Sequence, residues 1–241
     1  MKKFELISFE TDLELATAAA DDWLNSVEVA NRHNQPQFVA LSGGRIARQF
    51  FNAVAESSRA RNVPLSRVHF FWADERCVPP DDPECNFALA DKLLFQPFNI
   101  SIRQIHRLHG EETPQTAAQF AATEICQFTP QNASGLPELD IVFLGMGEDG
   151  HIASLFPNAS QKQILSTDVY QTVVASKPPP KRLTLSFAVI AAAREVCVLA
   201  SGIGKEQALH ASLTTRDSTP LARLLQMRRQ TKIFTNIGLE L

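Results

Sequence analysis

Four times in this chain a short apolar run ends abruptly at glycine or charge. Phe38-Val39-Ala40-Leu41 runs into Ser42-Gly43-Gly44, and Val68 to Trp72 runs into Asp74-Glu75-Arg76. Ile141 to Leu144 runs into Gly145-Met146-Gly147-Glu148-Asp149-Gly150-His151, and Val196 to Ala200 runs into Ser201-Gly202-Ile203-Gly204-Lys205. Apolar runs this short, bounded by turn-forming residues, read as buried strands. Helix-like stretches follow them, and strands separated by helices imply a mostly parallel, twisted α/β sheet with helices on both faces, of Rossmann-like type. In such a sheet the carboxyl ends of the strands share one edge, and ligands bind there at the topological switch point. The four tips are expected to converge on one pocket.

The remaining elements can be read from their punctuation. Thr11 and Glu14 form a capping-box pattern, after which Leu13, Ala16, Ala20, Trp23, Leu24 and Val27 repeat at helical spacing. Thr113-Pro114 opens a second helix, with proline at its first position. Leu183, Leu185 and Phe187 alternate with Thr184 and Ser186 at strand period, and Pro178 to Pro180 form an extended approach to that strand. Asn86, after a proline-rich loop, is placed to cap the next helix.

Nothing divides the 241 residues, so one domain over 1–241 is expected. A formal net charge of -3 argues against nucleic acid as a partner. The longest apolar stretches fall well short of the ~20 residues that span a bilayer, and Met1-Lys2-Lys3-Phe4-Glu5 lacks the apolar core of a signal peptide. A cytoplasmic protein is expected, a monomer or small homo-oligomer without a membrane partner. Its four cysteines, Cys77, Cys85, Cys126 and Cys197, contain no Cys-x-x-Cys pair and read as reduced thiols. The glycosylation-type triplets at Asn99, Asn132 and Asn158 carry no meaning in that compartment.

Ser42-Gly43-Gly44 at a strand-to-helix junction is shaped to admit an anion to free backbone N–H groups, or is simply a tight turn. Arg45 and Arg48 beyond it, and the glycine-flanked Lys205 at an equivalent junction, favour a phosphorylated small molecule. Arg76 suits bidentate grip of a phosphate or oxyanion; the alternative is an internal ion pair with a neighbouring carboxylate. His151 is the side chain able to trade a proton near neutral pH, provided it is not a core histidine held by a carbonyl, and Asp149 could orient it across a turn. A Gly-x-Ser-x-Gly elbow is missing, which argues against an acyl-enzyme hydrolase. His106-x-x-His109 lacks a third ligand nearby, so no metal site is expected.

Taken together these stretches resemble the 6-phosphogluconolactonase family, the lactonase branch of a group that includes glucosamine-6-phosphate deaminase. The resemblance rests first on Gly145 to Pro157, then on Asp74-Glu75-Arg76-Cys77-Val78-Pro79, on Lys177 to Thr184 and on Gly202-Ile203-Gly204-Lys205, and spans roughly residues 36 to 210. It implies an enzyme that hydrolyses 6-phospho-D-glucono-1,5-lactone to 6-phospho-D-gluconate in the oxidative pentose phosphate pathway, without a cofactor. On that reading His151, Asp149 and Arg76 are catalytic, and Ser42, Gly43, Gly44, Arg45, Asp74, Gly147, Arg182 and Lys205 contact substrate or its phosphate. The chain departs from the family pattern where Arg45-Ile46-Ala47 replaces Ser-Thr-Pro, where Cys85 replaces Ser and Asn158 replaces Gly, and in an atypical stretch beyond Ser218. Two rivals are an amino-sugar-phosphate deaminase or isomerase and a non-catalytic sugar-phosphate-binding protein. The deaminase branch follows Gly-His-Ile-Ala with Phe-Asn-Glu-Pro, a carboxylate that Ser154-Leu155-Phe156-Pro157 lacks.

Overall fold

In the computed structural model, which describes residues 3–238, the four tip-bearing runs are neighbours in one sheet. The elements are β1 (Glu5–Ser8), α1 (Asp12–Arg32), β2 (Gln37–Leu41), α2 (Arg45–Arg61), β3 (Val68–Trp72), β4 (Asp74–Arg76), α3 (Asn86–Ala90) and α4 (Gln96–Phe98). They continue with α5 (Pro114–Phe128), β5 (Ile141–Gly145), α6 (Gln161–Ile164), β6 (Tyr170–Val174), β7 (Lys181–Leu185), α7 (Phe187–Ala192), β8 (Glu195–Ala200), α8 (Glu206–Thr214), α9 (Pro220–Met227) and β9 (Lys232–Thr235). Residues 1–2, at the start of the segment read as lacking a signal peptide, and residues 239–241 lie outside the described part of the expected domain.

Six strands form a parallel sheet in the order β1-β9-β8-β5-β2-β3. The chain moves one way across it from β1 through β2 to β3, then reverses through β5, β8 and β9. Right-handed crossovers therefore put α1 and α2 on one face and α7, α8 and α9 on the other; α1 packs against α2, which α3 also touches, while α9 packs against α7 and α8. The reversal makes the gap between β2 and β5 the switch point.

Helix α1 begins as read: Thr11 Oγ1 accepts from the Glu14 N–H at 3.1 Å, and Glu14 Oε2 accepts from the Thr11 N–H at 3.1 Å. Its inward stripe is Leu15, Ala16, Ala19, Ala20, Trp23, Leu24 and Val27, however, and Leu13 is 63% exposed. Trp23 stands at the centre of the core, edge-on to Phe143 of β5 at 5.5 Å and to Phe70 of β3 at 6.3 Å.

Three sequence expectations need correction. The run after β3 leads into a second, three-stranded antiparallel sheet, β4-β7-β6, rather than a helix. Phe187 does not extend strand β7: Ser186 Oγ accepts from the Val189 N–H at 3.4 Å and starts α7, turning Phe187 into the core. The triple proline is the bend of the β6–β7 hairpin, closed where the Ala175 N–H donates to the Pro180 carbonyl at 2.7 Å, and not an extended lead-in.

Candidate active site

The second sheet stands beside the switch point and contributes Asp74, Arg76 and Arg182 to the site. Ser42, at the end of β2, donates from Oγ to the Phe143 carbonyl of β5 at 2.9 Å and ties the two central strands together where they diverge. Gly43 is compulsory there, because a Cβ would lie 1.8 Å from Asn86 Oδ1. Across the gap, β4 pairs with β7 so that Asp74 faces Thr184 and Arg76 faces Arg182. The result is a cleft of about 130 Å³ at the carboxyl edge of the sheet. Its walls carry Ser42, Gly43, Gly44 and Arg45 from the β2–α2 junction, Asp74 and Arg76 from β4, and Arg182 from β7. Met146 and His151 come from the loop after β5, Ser201 and Lys205 from the loop after β8.

All four tips thus meet, as does most of the expected residue set. Arg48, also expected near the anion, is not among the lining residues, and neither are Gly147 and Asp149. The last two act on His151. A Cβ at Gly147 would sit 2.1 Å from the imidazole Nδ1 and Cε1, so only glycine lets the ring lie against this turn. The turn is closed by the Gly150 N–H donating to the Gly147 carbonyl at 3.0 Å, and it brings Asp149 Oδ1 to 2.5 Å from His151 Nδ1 and 3.1 Å from its N–H. Burial raises the Asp149 carboxyl, but the N–H, charge and ring of His151 outweigh it and leave the pKa below the ordinary value. With Nδ1 held, Nε2 is the nitrogen left to face the cleft.

The cations form two groups. Arg45 and Lys205 flank Gly202, where a Cβ would be 3.5 Å from Arg45 Nη2 and 3.9 Å from Lys205 Cε. Burial, then the charge of Arg45, lowers the Lys205 pKa. Arg76 and Arg182 are the second group, and burial followed by the Arg76 charge lowers the Arg182 pKa. Like charges held together this way store repulsion that an anion relieves. Arg76 does make the internal pair that was the alternative, to the Glu84 carbonyl at 2.5 Å and its Oε2 at 3.3 Å through Nη1, yet its buried Nε has no partner.

Asn86 corrects the reading of the proline-rich loop. Its side chain does not cap α3: it donates to the Asp74 carbonyl at 2.9 Å and lines the cleft. The cap is Glu75, almost wholly buried, whose carboxyl oxygens accept from the N–H groups of Asn86, Phe87 and Arg76 at 2.8 Å each. Burial nevertheless pushes the Glu75 pKa up to about 7. Met146, Ala153 and Ser201 also reach the cleft without having been singled out. Outside it, His106 is bonded to Glu124 and His69, and His109 to Glu111. The four cysteines are free thiols.

A cation-rich cleft with a carboxylate–imidazole pair at the switch point of a doubly wound sheet is the site of an enzyme acting on small phosphorylated molecules. The chain belongs to the glucosamine-6-phosphate isomerases/6-phosphogluconolactonase family, whose pattern matches residues 10–234 and so includes the stretch beyond Ser218. It is 33% identical over 211 residues to the 6-phosphogluconolactonase of Haemophilus influenzae, covering 87% of this chain and 85% of that one. It is 35% identical over 213 residues to that of Treponema pallidum, covering 81% and 86%. The structure of 6-phosphogluconolactonase from Trypanosoma brucei superposes with a TM-score of 0.84 at 25% identity, over 96% of this chain and 95% of that one. Among the described residues no helix is long and apolar enough to cross a membrane.

Proposed function

We propose that the protein hydrolyses 6-phospho-D-glucono-1,5-lactone to 6-phospho-D-gluconate, in the oxidative pentose phosphate pathway, with His151 as the base. The observation that carries this is the pairing of His151 with Asp149 beside two groups of cations; the named relatives support the substrate. Water attacks C1 while His151 Nε2 takes its proton, and Asp149, on Nδ1, fixes the tautomer and balances the imidazolium. The tetrahedral oxyanion is countered by the guanidinium of Arg76, which lines the cleft. Collapse breaks the bond from C1 to the ring oxygen, and the imidazolium returns its proton to that oxygen.

Gly43, Gly44, Arg45, Arg182 and Lys205 hold the phosphate, with Ser42 and Asp74 shaping the contacts around the ring and Gly147 acting through His151. Because the lactone also opens in water unaided, positioning and one proton shuttle are sufficient chemistry. The deaminase reading is disfavoured by Ser154, which fills the place where that branch begins its carboxylate-bearing segment. The enzyme is a cytoplasmic monomer or small homo-oligomer on this reading. The test is lactone hydrolysis by metal-stripped protein, corrected for spontaneous opening, with glucosamine 6-phosphate deamination run in parallel. Turnover of the lactone alone is expected, unchanged by chelator, since one histidine and one carboxylate line the cleft; turnover of the amino sugar alone overturns the assignment.

A further inference from the structure

The cleft built to hold a phosphate also contains a carboxylate. Among the described residues Asp74 is the only acidic side chain on its walls, alongside Arg45, Arg76, Arg182 and Lys205. A negative charge there opposes phosphate binding, so its presence needs a reason. Neutralising the arginines is not that reason: the ion pair of Arg76 is with Glu84, and among the described residues Asp74 makes none. The carboxylate is instead pinned. Its Oδ2 accepts from Ser154 Oγ at 2.8 Å, and Ser154 is fully buried, its own N–H donating to Thr184 Oγ1 at 3.2 Å. Thr184 is the residue opposite Asp74 in the β4–β7 ladder, and the Asp74 carbonyl accepts from Asn86 Nδ2 at 2.9 Å. Strand β4, strand β7, the His151 loop and the start of α3 therefore all converge on one carboxyl group, and its Oδ1 makes no hydrogen bond to a described residue.

We infer that Asp74 recognises the ring hydroxyls of the lactone, and that Ser154 is the positioning residue that aims it. Ammonium, guanidinium and backbone N–H groups only donate, while a phosphate and a lactone carbonyl only accept. The ring hydroxyls are the substrate groups that can donate, and the fixed carboxylate is the charged acceptor for them. The inference rests on lactone hydrolysis in this cleft, and it makes Asp74 the feature that separates a polyhydroxylated lactone from any other phosphorylated ester.

The experiment measures kcat/KM for wild type, Asp74→Ala, Ser154→Ala and the double variant. Substrates are the phosphorylated lactone and its 2-, 3- and 4-deoxy counterparts, and melting temperature checks folding. Wild-type turnover of the parent lactone comes first; without it the functional reading itself fails and the inference falls with it. Given turnover, at least one deoxy lactone should be poorer for wild type by roughly 10- to 100-fold, the worth of one hydrogen bond to a charged acceptor. That penalty should vanish in Asp74→Ala and shrink in Ser154→Ala. The double variant should match Asp74→Ala alone, because Ser154 acts through Asp74. Equal deoxy penalties in wild type and Asp74→Ala, with parent turnover intact, overturn the recognition role. If Asp74→Ala does not fold, Ser154→Ala still decides: an undiminished deoxy penalty there overturns the inference.

Discussion

Asp149 meets His151 at 2.5 Å on the rim of the cleft, and Glu124 meets His106 at 2.9 Å beneath the edge strand β3. Both pairs place a carboxylate on Nδ1 and leave Nε2 as the other nitrogen. Their surroundings differ. His106 is buried, lies flat on Phe71 with ring centres 4.3 Å apart and touches Phe128 at 4.2 Å, and its Nε2 is 2.9 Å from His69 Nδ1. His151 keeps a third of its side chain exposed, has Phe156 as its aromatic neighbour at 4.8 Å, and lines the cleft. A carboxylate–imidazole pair is a structural tie when both nitrogens are spent and a candidate base when one is not.

The sharpest test of that contrast is to delete each imidazole. His151→Ala should lose ~10²–10⁴-fold of the catalysed rate, the usual worth of a general base, with an unchanged melting temperature. His106→Ala should do the reverse, costing about 2–4 kcal/mol in chemical denaturation, as loss of a buried hydrogen-bonded side chain does. Its folded fraction should still turn over at the wild-type rate. A His106 variant that stays stable but loses kcat would erase the distinction.

Within the cleft the comparison extends to the two cation groups. Lys205→Ala should lower kcat/KM for the phosphorylated lactone by about 10- to 100-fold and leave the unphosphorylated lactone nearly untouched. Arg76→Lys should cost rate on both, since an ammonium cannot reproduce the planar guanidinium. If the Arg76 defect is the one that disappears without phosphate, the roles are exchanged.

The smallest effect belongs to His69. Burial, then the neighbouring His106, lowers its pKa. A histidine with a depressed folded pKa contributes stability that is complete above its unfolded value, near 6.5, and is lost as pH falls through the folded one. Denaturation midpoints followed downward from neutral pH should therefore fall less steeply in His69→Phe, by under about 1 kcal/mol in all. The other titratable groups packed there are His106 and, through it, Glu124. An identical acid limb in the variant would assign the loss elsewhere.

What could be read in advance follows from range. The β5 tip was legible because its glycines, Asp149 and His151 act on one another within five residues, through a turn that the sequence displays. Strands β2, β3, β5 and β8 were legible as runs of mostly apolar residues. Strands β1, β6 and β9 mix polar and apolar residues over four or five positions and become strands through partners far away. Glu75 caps a helix 11 residues downstream across a proline-rich loop, and Ser154 reaches Asp74 across 80 residues. No local pattern encodes either contact. Leu13 and Phe187 went wrong for a related reason: an apolar residue in phase with a pattern was given to it, although a neighbouring cap had already set the element's boundary or its face.

The order of strands also bears on how the chain can be assembled as it leaves the ribosome. Strand β1 is made first, yet its ladder partner, β9, ends only at Thr235, and β9 also supplies the outer neighbour of β8. Until β9 is made, β1 lacks its described ladder partner and β8 presents a bare apolar edge, the kind of surface on which chains pair with one another. A chain stopped before Lys232 should therefore fail as a whole, aggregating through β8, rather than lose a dispensable tail. The four residues Lys232–Thr235 act as a keystone, and the fold is committed only when they arrive.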